Sequence, residues 1–345
     1  MNKTYSRGRF GRGDNFGERN FKKLPIMTNL RRRIRDKNFL ESLNNGYLRL
    51  LLNYIIGDEE LDIQIRDNYI NVYYKGGNIL RIRGEKSFEL DEFYFYDDCK
   101  TERKTHLLNA AKEKDPVAIK KIKELRDRKN KLIGLIKDGN YSDYFSEAKK
   151  VMDSWWNSME KIGIAHNEKK VQHQISRHNK GQDSDYTVLD LEYQVSTKSE
   201  FCYIGGRPKK TSPRFDIIAI HNKTGELMSV FIGIPSYYCI IELKKGLGAI
   251  NGKSGIEDHC ESFKYTIGRD EQNLFLAEMK DLCDQKCKLG LIDSSITIKN
   301  TPPKFVFAFA GTTQEYEIFM QRCRKENFSG KIIYLNDFKL LDTCK

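Results

Sequence analysis

The chain has 345 residues, 39% of them hydrophobic and 31% charged, with a formal net charge of +12 at pH 7. No apolar run approaches the roughly 18 residues that a bilayer crossing needs, which argues against a membrane span. The basic excess, concentrated in the first 210 residues, favours a polyanionic partner through phosphate neutralisation and counterion release, and nucleic acid is the natural one.

The start, MNKTYSRGRFGRGDNFGERNF, is rich in Arg and Gly and lacks the apolar core of a secretory signal, so the cytoplasm is the expected location. Residues 1–36 are expected to be a disordered basic arm resembling Arg/Gly segments that contact nucleic acid. The eight cysteines are scattered without the spacing of a disulfide framework and read as free thiols. Cys283 and Cys287 form the closest pair, on a predicted helix, but have no second pair beside them to complete a zinc site.

Residues 37–162 read as an accessory module of helices and a β-hairpin. In NFLESLNNGYLRLLLNYII the residues Phe39, Leu40, Leu43, Tyr47, Leu50, Leu51 and Tyr54 fall on one helical stripe. LDIQIR, NYINVYYK and NILRIR alternate with period two, and Gly76-Gly77 between the last two signals a hairpin. Asp115 is placed to cap a helix with Pro116 at its first position, and this basic amphipathic helix runs to Gly139 with Ile119, Ile122, Leu125, Leu132, Ile133 and Ile136 on its buried side. Its charged face is suited to a phosphate backbone, although such a face is commonly just solvated. A further helix carries Trp155 and Trp156, expected to pack between the two halves.

Residues 163–345 change to a compact alternation: a helix over NEKKVQHQISRHN, strands over YTVLDLEYQV, RFDIIAIH and CIIELKKG, a helix, the strand KFVFAFAG, a helix, and KIIYLN. Three antiparallel strands followed by a crossover helix predict a mixed α/β sheet. Glu242 and Lys244 share one face at the end of CIIELKKG, and Asp216 near the start of RFDIIAIH would lie beside them if the two strands are antiparallel neighbours. Two carboxylates in an apolar sheet repel unless compensated, and a hard divalent cation supplies that compensation. The Leu243 carbonyl adds a further oxygen, and Lys244 is suited to stabilise charge developing on a phosphate.

These residues resemble the PD-(D/E)xK nuclease superfamily, with Asp216 in RFD and Glu242 and Lys244 in IIELKKG as the matching positions, and the element order of residues 163–345 extends the likeness over about half the chain. The resemblance implies a restriction-endonuclease-like core of order αβββαβ, dependence on Mg2+ or Mn2+, and hydrolysis of phosphodiester bonds by a DNA endonuclease of restriction or defence type. DNA is favoured over RNA, and a homodimer is compatible with it. Members of the superfamily often carry a glutamate on the preceding helix, a role for which Glu168 is preferred over its rival Glu192 on the strand. The expected site is therefore Asp216, Glu242, Lys244 and Glu168, with Asp216, Glu242, Leu243 and Glu168 as metal ligands. Two departures stand out: Phe215 replaces the proline before the first acid, and ELMSVFIGIPSYY intervenes between the motif strands after a plausible NKTG turn, so either an extra strand or a long loop separates them. The competing expectation is a non-catalytic nucleic-acid-binding protein on a nuclease-like scaffold.

Other patterns carry less. GLGAINGKSG fails as a phosphate-binding P-loop because Leu247 stands where the first glycine is needed. His166, His173 and His178 lack metal-ligand spacing and read as surface or hydrogen-bonded histidines.

Overall fold

The computed structural model describes residues 32–96, 101–161, 167–181, 184–194, 202–204, 207–209, 214–233, 263, 267, 273–309, 317, 320, 321, 324 and 331–342. Among these, no helix is long and apolar enough to cross a membrane. The architecture is mixed α/β, with a four-stranded antiparallel sheet preceding a six-stranded mixed sheet.

The expected single helix over residues 38–56 is two helices, α1 (Lys37–Asn44) and α2 (Arg49–Gly57). The break is Asn45-Gly46, where a Cβ at Gly46 would stand 2.8 Å from the Ser42 Cα. It removes two residues from the buried stripe: Tyr47 is 50% and Leu50 70% exposed. The strands β1 (Leu61–Arg66), β2 (Tyr69–Tyr74), β3 (Gly77–Gly84) and β4 (Ser87–Glu89) form a meander. Lys75 and Gly76 both have positive φ, 47° and 79°, which makes the two-residue turn whose twist matches the flanking strands. The period-two reading of this hairpin therefore holds.

Three helices follow, α3 (Thr101–Lys112), α4 (Pro116–Lys137) and α5 (Tyr141–Lys161). Asp115 caps α4 by accepting from the Val117 N–H, with Pro116 in the first turn as expected. The buried stripe of α4 is Ala118, Ile122, Leu125, Leu132, Ile133 and Ile136, while Ile119, one position off that line, is 48% exposed. In α5 the buried Tyr144 hydroxyl donates to the Ile79 carbonyl at 2.6 Å, fixing the helix on β3. Trp155 packs edge-on against Tyr94 within this module. Trp156 lies under the Lys170 ammonium of the next helix, at 4.7 Å, so this tryptophan does meet the second half.

That helix, α6 (Asn167–His178), leads into β5 (Tyr186–Gln194). A short ribbon of β6 (Cys202–Ile204) and β7 (Arg207–Lys209) precedes β8 (Arg214–His221) and β9 (Leu227–Gly233). After α7 (Leu274–Lys288) come β10 (Lys304–Phe309), β11 (Lys331–Asn336) and β12 (Lys339–Leu341). The sheet order is β12-β11-β10-β9-β8-β5. β5, β8 and β9 are antiparallel in turn, β9, β10 and β11 are parallel, and β12 returns antiparallel.

The NKTG turn between β8 and β9 is tight, with the Gly225 N–H donating to the His221 carbonyl at 2.8 Å and Gly225 at φ 67°. LMSVFIG is thus an inserted third strand, occupying the place beside β8 that the sequence reading gave to CIIELKKG, whose residues lie outside those described. Its near-continuous apolar run fits a position between two strands. The sheet is covered on both faces. Ile175 of α6 packs with Val188, Leu191, Ile217, Val230 and Val306, and α7 sets Phe275, Met279 and Leu282 in a core shared with Tyr193, Phe215, Ile218 and the first sheet.

Candidate functional site

Asp216 stands near the start of β8 and is 9% exposed. Because β9 runs antiparallel to β8 and parallel to β10, this is the end of the sheet at which β9 and β10 finish. On the other side, Leu191 faces Ile217 and Tyr193 faces Phe215, which sets Glu192 and Asp216 between these pairs on adjoining strands. Two acids therefore occupy the same level of the sheet. Glu192 has φ 50°, a left-handed conformation uncommon for a residue with a side chain. The kink is held by Arg32, whose guanidinium donates to the Glu192 carbonyl at 3.0 Å and to the Asp190 carboxylate at 2.7 Å. Arg32 to Asp36, assigned by sequence to the basic arm, are thus tied to the folded chain, and Arg33 also pairs with Asp281 at 2.9 Å.

The Glu192 carboxylate lies 3.8 Å from the Lys169 ammonium in the first turn of α6. Glu168 precedes Lys169 on that turn, and its side chain lies outside the described residues. The first turn of α6 also rests on the hairpin turn, where a Cβ at Gly76 would be 2.9 Å from the Lys169 carbonyl carbon. Glu242, Leu243 and Lys244 lie outside the described residues, as do His166 and the GLGAINGKSG segment. Among the predicted site residues, the structure therefore brings Asp216 and the alternative Glu192 to adjoining strands and puts the helical turn bearing Glu168 beside them. Among the described residues no group of three or more His, Cys, Asp and Glu side chains is arranged to hold a metal ion.

A second polar centre, which the sequence reading did not single out, joins the two sheets. The even-numbered residues of β1, Asp62, Gln64 and Arg66, are buried and turned toward α6, β5 and α7. Asp62 accepts from Ser176 at 2.9 Å and Gln64 at 2.9 Å, and pairs with His173 Nδ1 at 2.7 Å. Burial alone would raise the Asp62 carboxyl, but the His173 hydrogen bond and the charges of His173, Lys180 and Lys286 hold it well below the usual carboxylate range. Ser176 bonds to the carboxylate and not to the imidazole, so Asp62, His173 and Ser176 are not a hydrolase triad, in which the histidine stands between the other two. Nearby, Asp190 is fully buried and shared by Arg66 at 2.6 Å and Arg32 at 2.7 Å. Burial opposes its ionisation, and the two guanidiniums outweigh burial and lower its pKa.

Lys286 of α7 reaches the same seam, donating to Gln64 at 3.2 Å. Burial lowers its pKa to about 8, against the pull of Asp62 and Asp190. The period-two run LDIQIR was the available signal for this centre, but polar alternate positions look the same whether they meet water or a partner. His173 is a buried, hydrogen-bonded histidine and His178 bonds the Gln174 carbonyl of its own helix, in line with the sequence reading. Cys283 and Cys287 are free thiols. On α4 the side chains of Lys120, Lys123, Arg126 and Lys131 are exposed.

Comparison of the chain with protein-family models, with curated proteins and with solved structures found no match.

Proposed function

We propose that the chain is a metal-dependent nuclease of the PD-(D/E)xK kind, a DNA endonuclease of restriction or defence type. The observation that carries this reading is Asp216 beside Glu192 at the end of the sheet where β9 and β10 finish. The succession α6, β5, β8, α7, β10 is in keeping with a restriction-endonuclease-like core, with β9 an additional strand beside β8 and the motif strand CIIELKKG outside the described residues. In such open sheets ligands gather at the carboxyl ends of the strands.

In this reading Asp216, Glu242, the Leu243 carbonyl and Glu168 hold Mg2+ or Mn2+, with Glu192 the rival of Glu168. The donors are carboxylate and carbonyl oxygens, the hard set these ions take. When bound, the ion supplies Lewis acidity and an acidified water. Lys244 keeps a positive charge against the phosphate as negative charge grows on it. The reading requires residues 242–244 to return to the edge that β9 leaves at Gly233. Nine Cα-to-Cα steps lead from Gly233 to Glu242, and a run of that length reaches up to about 30 Å.

Cleavage of linear, circular and single-stranded DNA is the test, with Mg2+, with Mn2+ and with EDTA. Nicking that needs the metal and disappears in Asp216→Ala and Lys244→Ala, with circular dichroism unchanged, is the expected result. Wild-type cleavage by both variants refutes the assignment. The exposed basic face of α4 favours a second reading, a nucleic-acid-binding protein without turnover. That reading predicts salt-sensitive binding indifferent to EDTA and no cleavage of any substrate.

A further inference from the structure

A cavity of about 300 Å3 opens beside Asp62, enclosed by β1, α6, β5 and the loop after α7. Two lysines line it, Lys180 just past the end of α6 and Lys286 on α7. Lys286 is 3% exposed. An ammonium carries three donors, and among the described residues that of Lys286 has one hydrogen-bond acceptor, Gln64 Oε1 at 3.2 Å. Lys180 is partly buried, and among the described residues it makes no ion pair, its attraction to Asp62 acting through space.

The neighbouring acids are already engaged. Asp62 is taken by His173, Ser176 and Gln64, and Asp190 by Arg32 and Arg66. Asp293, at the cavity's edge, accepts from the Ser295 N–H and hydroxyl, both at 2.8 Å. Buried donors without acceptors are costly, and they are satisfied either by losing a proton or by gaining an anion.

We propose that this cavity binds the phosphate group of a small molecule, with Lys180 and Lys286 as its two ammonium ligands. A phosphate sets three or more acceptor oxygens around one centre and carries a charge approaching about −2, matching two ammonium groups, whereas a carboxylate has two oxygens and a single charge. Phosphate alone underfills the space, which is equivalent to about ten waters. The walls at Ile63, Val188 and Leu291 are apolar and suit the organic remainder. The site joins β1, α6 and α7, so occupancy ties the first sheet to the second. Burial depresses the Lys286 pKa in the absence of an anion, and a phosphate beside it reverses that effect. The proposal does not depend on the nuclease reading.

The test is thermal unfolding of the full chain in metal-free buffer at pH 7, with inorganic phosphate, ribose 5-phosphate or malonate, each against sodium chloride at matched ionic strength. Both phosphate probes are expected to raise the midpoint. At about 10 mM a millimolar site shifts the unfolding equilibrium roughly tenfold. Lys180→Met and Lys286→Met are each expected to weaken the apparent affinity by at least about tenfold, the loss of one charged hydrogen-bonding ligand. Lys180→Met, on the more open side of the cavity, keeps the test decisive if Lys286→Met does not fold. No shift from either phosphate probe, an equal shift from malonate, or an undiminished shift in the variants overturns the proposal.

Discussion

Replacing Asp190 by Asn isolates the charge at the centre of the seam while preserving shape. Asp190 is 0% exposed and meets Arg66 at 2.6 Å and Arg32 at 2.7 Å, side chains that are themselves 8% and 13% exposed. Removing one partner of such a buried pair leaves the other charges desolvated and costs about 3–5 kcal/mol. At roughly 2 °C per kcal/mol for a larger domain, the melting midpoint should fall by about 6–10 °C. Asp67→Asn is the matched control, since the Arg35–Asp67 pair is 52% and 43% exposed. Surface pairs of that kind contribute at most about 1 kcal/mol, and 1 M salt should erase even that, while leaving the Asp190 effect largely in place. Scanning calorimetry of both variants at low and high salt measures the contrast. An Asp190→Asn penalty no larger than that of Asp67→Asn would show that the seam is not an organising element. Limited proteolysis adds a local readout, because Arg32 also donates to the Glu192 carbonyl and its release should open the chain near that residue.

Lys286 gives a pH dependence of defined sign. Its folded-state pKa is lowered from 10.5 to about 8, so between those values the unfolded chain binds the extra proton and stability from this group rises with pH. Its penalty is fully present below about pH 8, and Lys286→Met should therefore gain on the wild type at pH 7 by about 3 kcal/mol and lose that advantage as the pH rises past 10.5. Urea unfolding of both proteins across this range checks it, and a pH-independent difference would contradict it. Gly76→Ala should be more damaging than Gly139→Ala. Their φ angles are nearly equal, 79° and 78°, but the Gly76 Cβ would meet the Lys169 backbone at 2.9 Å while that of Gly139 meets nothing within 4 Å. Both should lose about 1–2 kcal/mol to the left-handed backbone. Gly76→Ala alone should displace the first turn of α6 and so lose more stability than Gly139→Ala, and equal losses in the two variants by urea unfolding would refute the link.

Much of the scaffold is legible in the sequence because its determinants are local. Asp115 and Pro116 announce α4, Lys75-Gly76 closes a hairpin between two alternating strands, and RFDIIAIH and KFVFAFAG carry the apolar character of inner strands. The α1–α2 break is also local, but the continuous apolar stripe masks the Asn45-Gly46 signal. LMSVFIG is ambiguous in the sequence, since seven apolar and small residues after a turn suit either a strand or the edge of a long loop. The seam was illegible for another reason. Asp62 meets His173 across 111 positions and Arg66 meets Asp190 across 124, and no local rule records which polar face of a strand will be covered by opposite charges.

That long-range seam bears on how the candidate site is held. Ile175 anchors α6 on the second sheet, while Ser176 and His173, on the same helix, bond to Asp62 of the first. The first turn of α6 rests on the Gly76 turn at one side and faces Glu192 through Lys169 at the other. The helix that bears Glu168 is therefore positioned by both sheets at once, and a shift of either moves that turn relative to Asp216. Charges serve this purpose better than apolar packing alone, because hydrophobic contact tolerates sliding, whereas a carboxylate with three assigned donors has one low-energy register. The first sheet and its helices thus fix the geometry at the edge of the second, in addition to whatever nucleic acid or partner their basic surface engages.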